Sequence, residues 1–200
     1  MAHNTLTPTF FEHDVREVAR SLIGKTLVSR RNRQRVSGMI VETEAYLPNG
    51  DSASHAYRGP NRKNASMFGP AGRAYVYSIH AQHCFNVVTE DPGVPCAVLV
   101  RAVEPLSGIT WMQQRRKTEK RERLSTGPGR LCEAFAIDRQ LDGAKLTSRR
   151  HVWIEYNPAI TICNEMIRST QRIGVTSAGR LKLRFVLQGN RFVSGPRSLG

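Results

Sequence analysis

The segment Val41-Glu42-Thr43-Glu44-Ala45-Tyr46 alternates with the period of a β-strand, so Glu42, Glu44 and Tyr46 share one face. Two carboxylates and an aromatic ring thus stand side by side where the chain runs into a long loop. A carboxylate at such a strand end can serve acid–base chemistry, and it can equally be a solvated surface group. Arg101 sits inside the apolar run Leu99-Val100-Arg101-Ala102-Val103, where a buried cation is costly unless a carboxylate answers it. His55, Tyr75, Tyr77, His80 and His83 offer flat side chains from a neighbouring loop and hairpin; Tyr75 and Tyr77 read as core rings or as a stacking surface. His80-x-x-His83-Cys84 could begin a metal site, but no second ligand pair follows at a suitable spacing, so neither metal nor cofactor is expected. Cys84, Cys96, Cys132 and Cys163 lie far apart among apolar neighbours and read as buried free thiols.

The elements that must position these residues can be read from periodicity. Val15, Val18, Ala19, Leu22 and Ile23 form the stripe of a packed helix that stops at Gly24. Two strands, Lys25 to Ser29 and Val36 to Glu44, should be joined by a basic turn over Arg30 to Arg35. From Leu47 to Gly72 the chain is rich in Pro, Gly, Asn and Ser; a loop of that length in a compact domain is functional or disordered. Ala74 to Ile79 and Cys84 to Val88 read as a hairpin with His80 to His83 at its tip, and Ala97 to Val103 as a further strand. Pro105 to Lys117 reads as a helix, and Thr126-Gly127-Pro128-Gly129 opens another through Ala136, with N–H groups that could meet an anion. Val152 to Tyr156, Leu183 to Leu187 and Phe192-Val193 read as late strands. The expectation is one α+β domain over residues 10–194: a curved, mainly antiparallel sheet, a protruding hairpin and surrounding helices, with flexible ends at 1–9 and 195–200.

Charge narrows the partners. Thirty Lys and Arg face 16 Asp and Glu, a net +14, and 24 of the cations are Arg, the residue that grips phosphate bidentately and stacks on flat rings. Such a balance argues against an acidic buffer protein or an ordinary neutral enzyme of small metabolites and points to a polyanion. Hydrophobic residues at 40% speak against disorder as its cause. No apolar run approaches the roughly 20 residues that span a bilayer, and Met1-Ala2-His3-Asn4 does not open a secretory signal. A membrane partner is therefore not expected. The expected location is cytosolic or nucleoid in a bacterium and nuclear in a eukaryote.

Several ordered motifs agree at once with one known family. Ile40 to Leu47, His55, Ser66-Met67-Phe68, Tyr75-Val76-Tyr77, Asn86, Leu99 to Leu106, Gly127 to Cys132 and Arg172-Ile173-Gly174-Val175 resemble the alkyladenine (3-methyladenine) DNA glycosylase family, as does the opening segment Phe10 to Lys25. The resemblance spans roughly Phe10 to Ser194. It implies excision of damaged purines (3-methyladenine, 7-methylguanine, hypoxanthine, ethenoadenine) from duplex DNA after the nucleotide is flipped out. By this resemblance Glu44 is the general base that activates water, and Arg101 helps fix that water and the carboxylate. Tyr46, His55 and Tyr77 match positions that enclose the flipped base, whose alkylated, cationic form is drawn to electron-rich rings. Asn86 matches a position that excludes the 2-amino group of guanine; the alternative is an Asn bonding nearby backbone.

At the hairpin tip the sequence departs from the family pattern. Tyr75 to Asn86 is one residue shorter, and His80 or Ile79 stands where the family often places a Tyr wedge that fills the gap left in the DNA. The six Lys residues match no catalytic position, so a monofunctional, monomeric glycosylase without lyase activity is expected. The competing reading is a non-catalytic protein that binds damaged DNA or RNA, with Glu44 and Arg101 in a structural pair.

Overall fold

Alternation along the longest strand sets the architecture. In the computed structural model, which describes residues 4–195, eight strands form one curled sheet: β1 (Thr26–Arg31), β2 (Gln34–Tyr46), β3 (Ala74–Ile79), β4 (Gln82–Thr89), β5 (Cys96–Ser107), β6 (Val152–Glu155), β7 (Ile167–Thr170) and β8 (Arg184–Leu187). Their order is β3-β4-β5-β2-β1-β6, all pairings are antiparallel, and β8 branches from β2 with β7 beyond it. β2 is the pivot. β5 runs along one side of it, while on the other side β1 pairs with Gln34 to Met39 and β8 with Glu42 to Glu44. The fork therefore opens at the two carboxylates.

Three helices, α1 (Val15–Ser21), α2 (Ile109–Arg116) and α3 (Pro128–Phe135), complete the expected α+β domain. Val15, Val18 and Ala19 of α1 are buried, Asp14 caps the helix by accepting the Arg16 N–H at 2.8 Å, and the Thr43 hydroxyl donates to the Ala19 carbonyl at 2.8 Å. Gly24 ends this unit at φ +85°, where a Cβ would press to 2.5 Å from Ile162. No helix among the described residues is long and apolar enough to cross a membrane.

Several sequence expectations shift. Both hairpins close through two-residue turns, Asn32-Arg33 and His80-Ala81, all four residues at positive φ, so β1, β2 and β4 run further into the turns than expected while β3 keeps its expected bounds. Such turns match the right-handed twist of paired strands. Pro105 does not begin a helix; β5 continues through it to Ser107, because it lies beside a register irregularity of the β2 ladder where its missing N–H is tolerated. Gly108, at φ +72°, then turns the chain into α2. Phe192-Val193 is not a strand: Phe192 is buried in a turn and Val193 is half-buried in irregular chain; β7 had no expected counterpart. Cys163 is exposed, unlike the other three thiols.

The segment 1–9, expected to be a loose end, packs against β6 from Asn4 onward: Leu6 is buried and donates its N–H to Ile154. Of the tail 195–200, all beyond Gly195 lies outside the described residues.

Candidate active site

The β2–β5 ladder is irregular where the charged residues sit. Ile40 pairs with Val103, Glu42 with Ala102 and Thr43 with Val100, so Val41 and Arg101 each drop out of register. Glu42, Glu44 and Arg101 come together on one side of the sheet. Both carboxylates are fully buried and Arg101 is 8% exposed. Arg101 bridges them, donating from Nε to Glu42 at 2.9 Å and from Nη1 to Glu44 at 3.3 Å. Burial works against its charge, but Glu44 and Glu42 outweigh that and hold the guanidinium above its ordinary basicity. This is the carboxylate answer that a cation in an apolar strand demands.

The two glutamates differ in their other partners. Glu42 accepts from Arg184 Nε at 2.7 Å and from the Ser194 N–H and hydroxyl at 2.7 and 2.8 Å. Glu44 accepts the Tyr46 hydroxyl on Oε2 at 2.9 Å and the Ile173 N–H on Oε1 at 2.8 Å. Burial, and then the Glu44 charge, push the Tyr46 phenol far up, so it remains a proton donor. Tyr46 thus carries the ion network to the wall of a cavity.

That cavity, about 170 Å³, is bordered by Tyr46, His55, Met67, Tyr75, Tyr77, Ile79, Asn86, Ala97, Gly174 and Val175, among others. It opens beside a larger chamber of about 520 Å³ that includes Tyr57, Arg58 and Lys63. His55 and Tyr77 stack edge-on with ring centroids 4.4 Å apart, and His55 Nδ1 lies 2.8 Å from the Tyr75 hydroxyl. Burial lowers the pKa of His55 and raises those of Tyr75 and Tyr77, which keeps all three rings uncharged. The His55 carbonyl accepts from the Asn64 side chain at 2.8 Å, which organises the long loop around it. Asn86 donates to the Tyr75 carbonyl at 2.9 Å and borders the cavity as well.

The structure therefore gathers Tyr46, His55, Tyr77, Asn86 and Ile79 around one space, with Glu44 one hydrogen bond behind its wall and Arg101 behind Glu44. His80 does not border the cavity; it occupies the exposed hairpin turn next to Ile79. Sequence reasoning missed the partners of Glu42. Arg184 was legible in principle, since it interrupts the apolar run Leu183 to Leu187 as Arg101 interrupts its own. Asp51 and Arg172, a fully buried ion pair at 2.6 Å, carried no such signal, because one lies in a loop and the other in irregular chain.

An aromatic slot of about 170 Å³ backed by a buried carboxylate, in a strongly basic domain, fits an enzyme that works on nucleic acid. Comparison with known proteins gives the class: the domain is a DNA glycosylase, a hydrolase of N-glycosyl bonds in DNA that serves base-excision repair. Residues 9–191 match the family described as methylpurine-DNA glycosylase, and the chain belongs to that family. It is 44% identical over 196 residues to a protein of Rhodopirellula baltica, covering 96% of this chain and 83% of that one. It is 46% identical over 192 residues to one of Methanoculleus marisnigri, covering 95% and 98%. Both relatives carry the name "Putative 3-methyladenine DNA glycosylase".

Proposed function

We propose that this glycosylase removes alkylated and deaminated purines from duplex DNA by flipping the nucleotide into the cavity and hydrolysing its glycosidic bond with water activated by Glu44. The observation that carries this reading is the placement of Glu44 directly behind Tyr46 at the aromatic slot. A carboxylate has about four lone-pair positions. Three protein donors reach Glu44, two on Oε2 and one on Oε1, so Oε1 retains an acceptor position for the nucleophilic water. The carboxylate takes the proton of that water as it attacks C1′, and its negative charge favours the oxocarbenium-like sugar. Arg101 orients the carboxylate rather than the leaving base.

The flipped base stacks between Tyr46 and the His55–Tyr77 pair. N3- or N7-alkylated purines carry positive charge, which draws them to neutral ring faces and makes them good leaving groups. Asn86, held by the Tyr75 carbonyl, supplies the contact that discriminates against the guanine amino group, a penalty that the weakened glycosidic bond of cationic 7-methylguanine offsets. Ile79, 48% exposed, and the adjacent His80 form the tip that fills the vacated stack. None of the six lysines borders the slot, and Lys63 alone lines the outer chamber, which supports a monofunctional reaction. Wild type should release 3-methyladenine and hypoxanthine from duplex DNA and leave an intact abasic strand. Glu44→Gln should bind the same duplex and release neither; absence of release by wild type would leave only a DNA- or RNA-binding protein.

A further inference from the structure

Two irregular stretches complete the walls that strands β2 to β5 begin: the loop after β2, which brings His55, and the chain before β8, which brings Gly174 and Val175 just after Ile173. A single ion pair joins them. Arg172 donates from Nη2 to Asp51 Oδ1 at 2.6 Å and from Nη1 to Oδ2 at 2.7 Å, with both side chains wholly out of solvent. Asp51 also accepts the N–H groups of Leu47 and Ala53 at 3.1 and 3.2 Å, which fastens its own loop. Arg172 also donates to the Ala45 carbonyl at 3.0 Å, and its guanidinium lies 4.6 Å over the Tyr46 ring.

Three groups that meet the reaction thus converge on one arginine. Its guanidinium backs Tyr46, its backbone neighbour Ile173 anchors Glu44 Oε1, and the next two residues line the cavity. Stability alone explains the arrangement poorly. A buried ion pair gains little over well-packed apolar side chains, and Arg172 Nε is buried without a hydrogen-bond partner. What the pair supplies is geometry: a planar fork held at both carboxylate oxygens fixes one plane, and the guanidinium carbon so held lies 4.6 Å from the centroid of the Tyr46 ring.

We propose that Arg172, clamped by Asp51, is a positioning residue of the excision reaction: it sets the plane of Tyr46 and, through the Ile173 N–H, the seat of the Glu44 carboxylate. This inference rests on the excision chemistry proposed above. Its effect falls on the bond-breaking step, because Arg172 borders neither the slot nor the outer chamber. Tyr46 keeps its other surface for the base, so a displaced ring should change how the slot ranks a cationic against a neutral purine.

The test is single-turnover excision of hypoxanthine and 7-methylguanine by wild type, Asp51→Asn, Arg172→Met, Arg172→Lys and the Asp51→Asn/Arg172→Met double variant. Each is assayed well below its melting temperature, together with its affinity for duplex DNA holding a tetrahydrofuran abasic mimic. Arg172→Met should slow excision about 10- to 100-fold, the scale of a small misplacement of reacting groups. Abasic-DNA affinity should stay within about threefold, since the phosphate contacts that dominate it are elsewhere. Arg172→Lys should fall between, the ratio of the two lesion rates should move, and the double variant should lose no more than the worse single one. Unchanged rates, multiplicative losses in the double variant, or equal loss of abasic-DNA affinity would overturn the proposal. If Arg172→Met does not fold, Asp51→Asn, which keeps the shape of the carboxylate, decides alone by the same criteria. Failure of wild type to release any base would overturn the proposed chemistry and this role with it, whereas normal release by wild type with unchanged rates in the variants overturns the clamp alone.

Discussion

Glu42 and Glu44 lie two residues apart on one face of one strand, equally buried and bridged by the same arginine, yet their surroundings are built for different work. Glu42 is surrounded: two guanidinium Nε groups and both donors of Ser194 hold it at 2.7 to 2.9 Å. Glu44 is held more lightly, by one guanidinium at 3.3 Å, a phenol and a backbone N–H. A carboxylate held by four fixed donors, none of them from a residue that borders the slot, is a structural anion. One with a position left over, next to an aromatic slot, can take a proton from water. The difference comes from the fork in the sheet: β8 presents Arg184 to Glu42, whereas the chain between β7 and β8 presents only an N–H to Glu44.

The sharpest way to break this comparison is to neutralise each carboxylate without changing its shape. Glu44→Gln should slow excision by about 10²- to 10⁴-fold, the usual contribution of a general base, with little change in the denaturant midpoint. Glu42→Gln should do the reverse first. It leaves Arg184 without a carboxylate and Arg101 with Glu44 alone, and breaking a buried ionic network in this way costs about 3–5 kcal/mol of stability, read from urea unfolding. If Glu42→Gln instead unfolds like wild type but stops excision, the assignment of structural and reactive carboxylates is inverted.

A gentler variant asks how Glu44 is seated. Tyr46→Phe keeps the stacking ring and removes the hydroxyl that donates to Oε2 at 2.9 Å. A hydrogen bond to a charged group contributes about 1.5–3 kcal/mol, so excision should slow by roughly 10- to 100-fold while abasic-DNA affinity holds. A Phe variant as fast as wild type would mean that Arg101 and the Ile173 N–H suffice.

The same contrast shows what a sequence can reveal. The strand alternation of Glu42, Glu44 and Tyr46 and the misfit of Arg101 were both legible, because a charge in an apolar strand violates a local rule and so announces a partner. Most of the sheet, though not β7, followed from periodicity and turn residues, as did the helices α1 and α3 and the hairpins. The split in role between the carboxylates was not legible. It depends on β8 and Ser194, which lie about 150 residues away in sequence and meet Glu42 only through the fork. The Asp51–Arg172 pair was hidden for the same reason, since irregular chain has no period against which a residue can stand out. Pro105 misled because its helix-starting preference outweighed a strand whose register slips there.

The smallest effect should come from the rings of the slot, through pH. Burial lowers the pKa of His55, so its protonation is resisted in the folded protein more than in the unfolded chain. As pH falls through the ordinary value of 6.5, the unfolded chain binds this proton first; the contribution of His55 to stability is complete above that pH and declines toward the lowered folded value. Chemistry should follow the same direction with a specific signature. A charged imidazole 4.4 Å from Tyr77, at the edge of the slot, repels a cationic purine but not a neutral one. Glu44 serves both substrates, so the ratio of 7-methylguanine to hypoxanthine excision isolates the response of the slot. That ratio should fall on acidification below neutrality in wild type and stay level in His55→Gln. His80 and His83, at the hairpin tip, remain in the variant and serve as its internal control. A ratio that falls equally in both proteins would move the pH response from the slot to the tip, and the neutral-ring account of cation selection would lose His55 as a member.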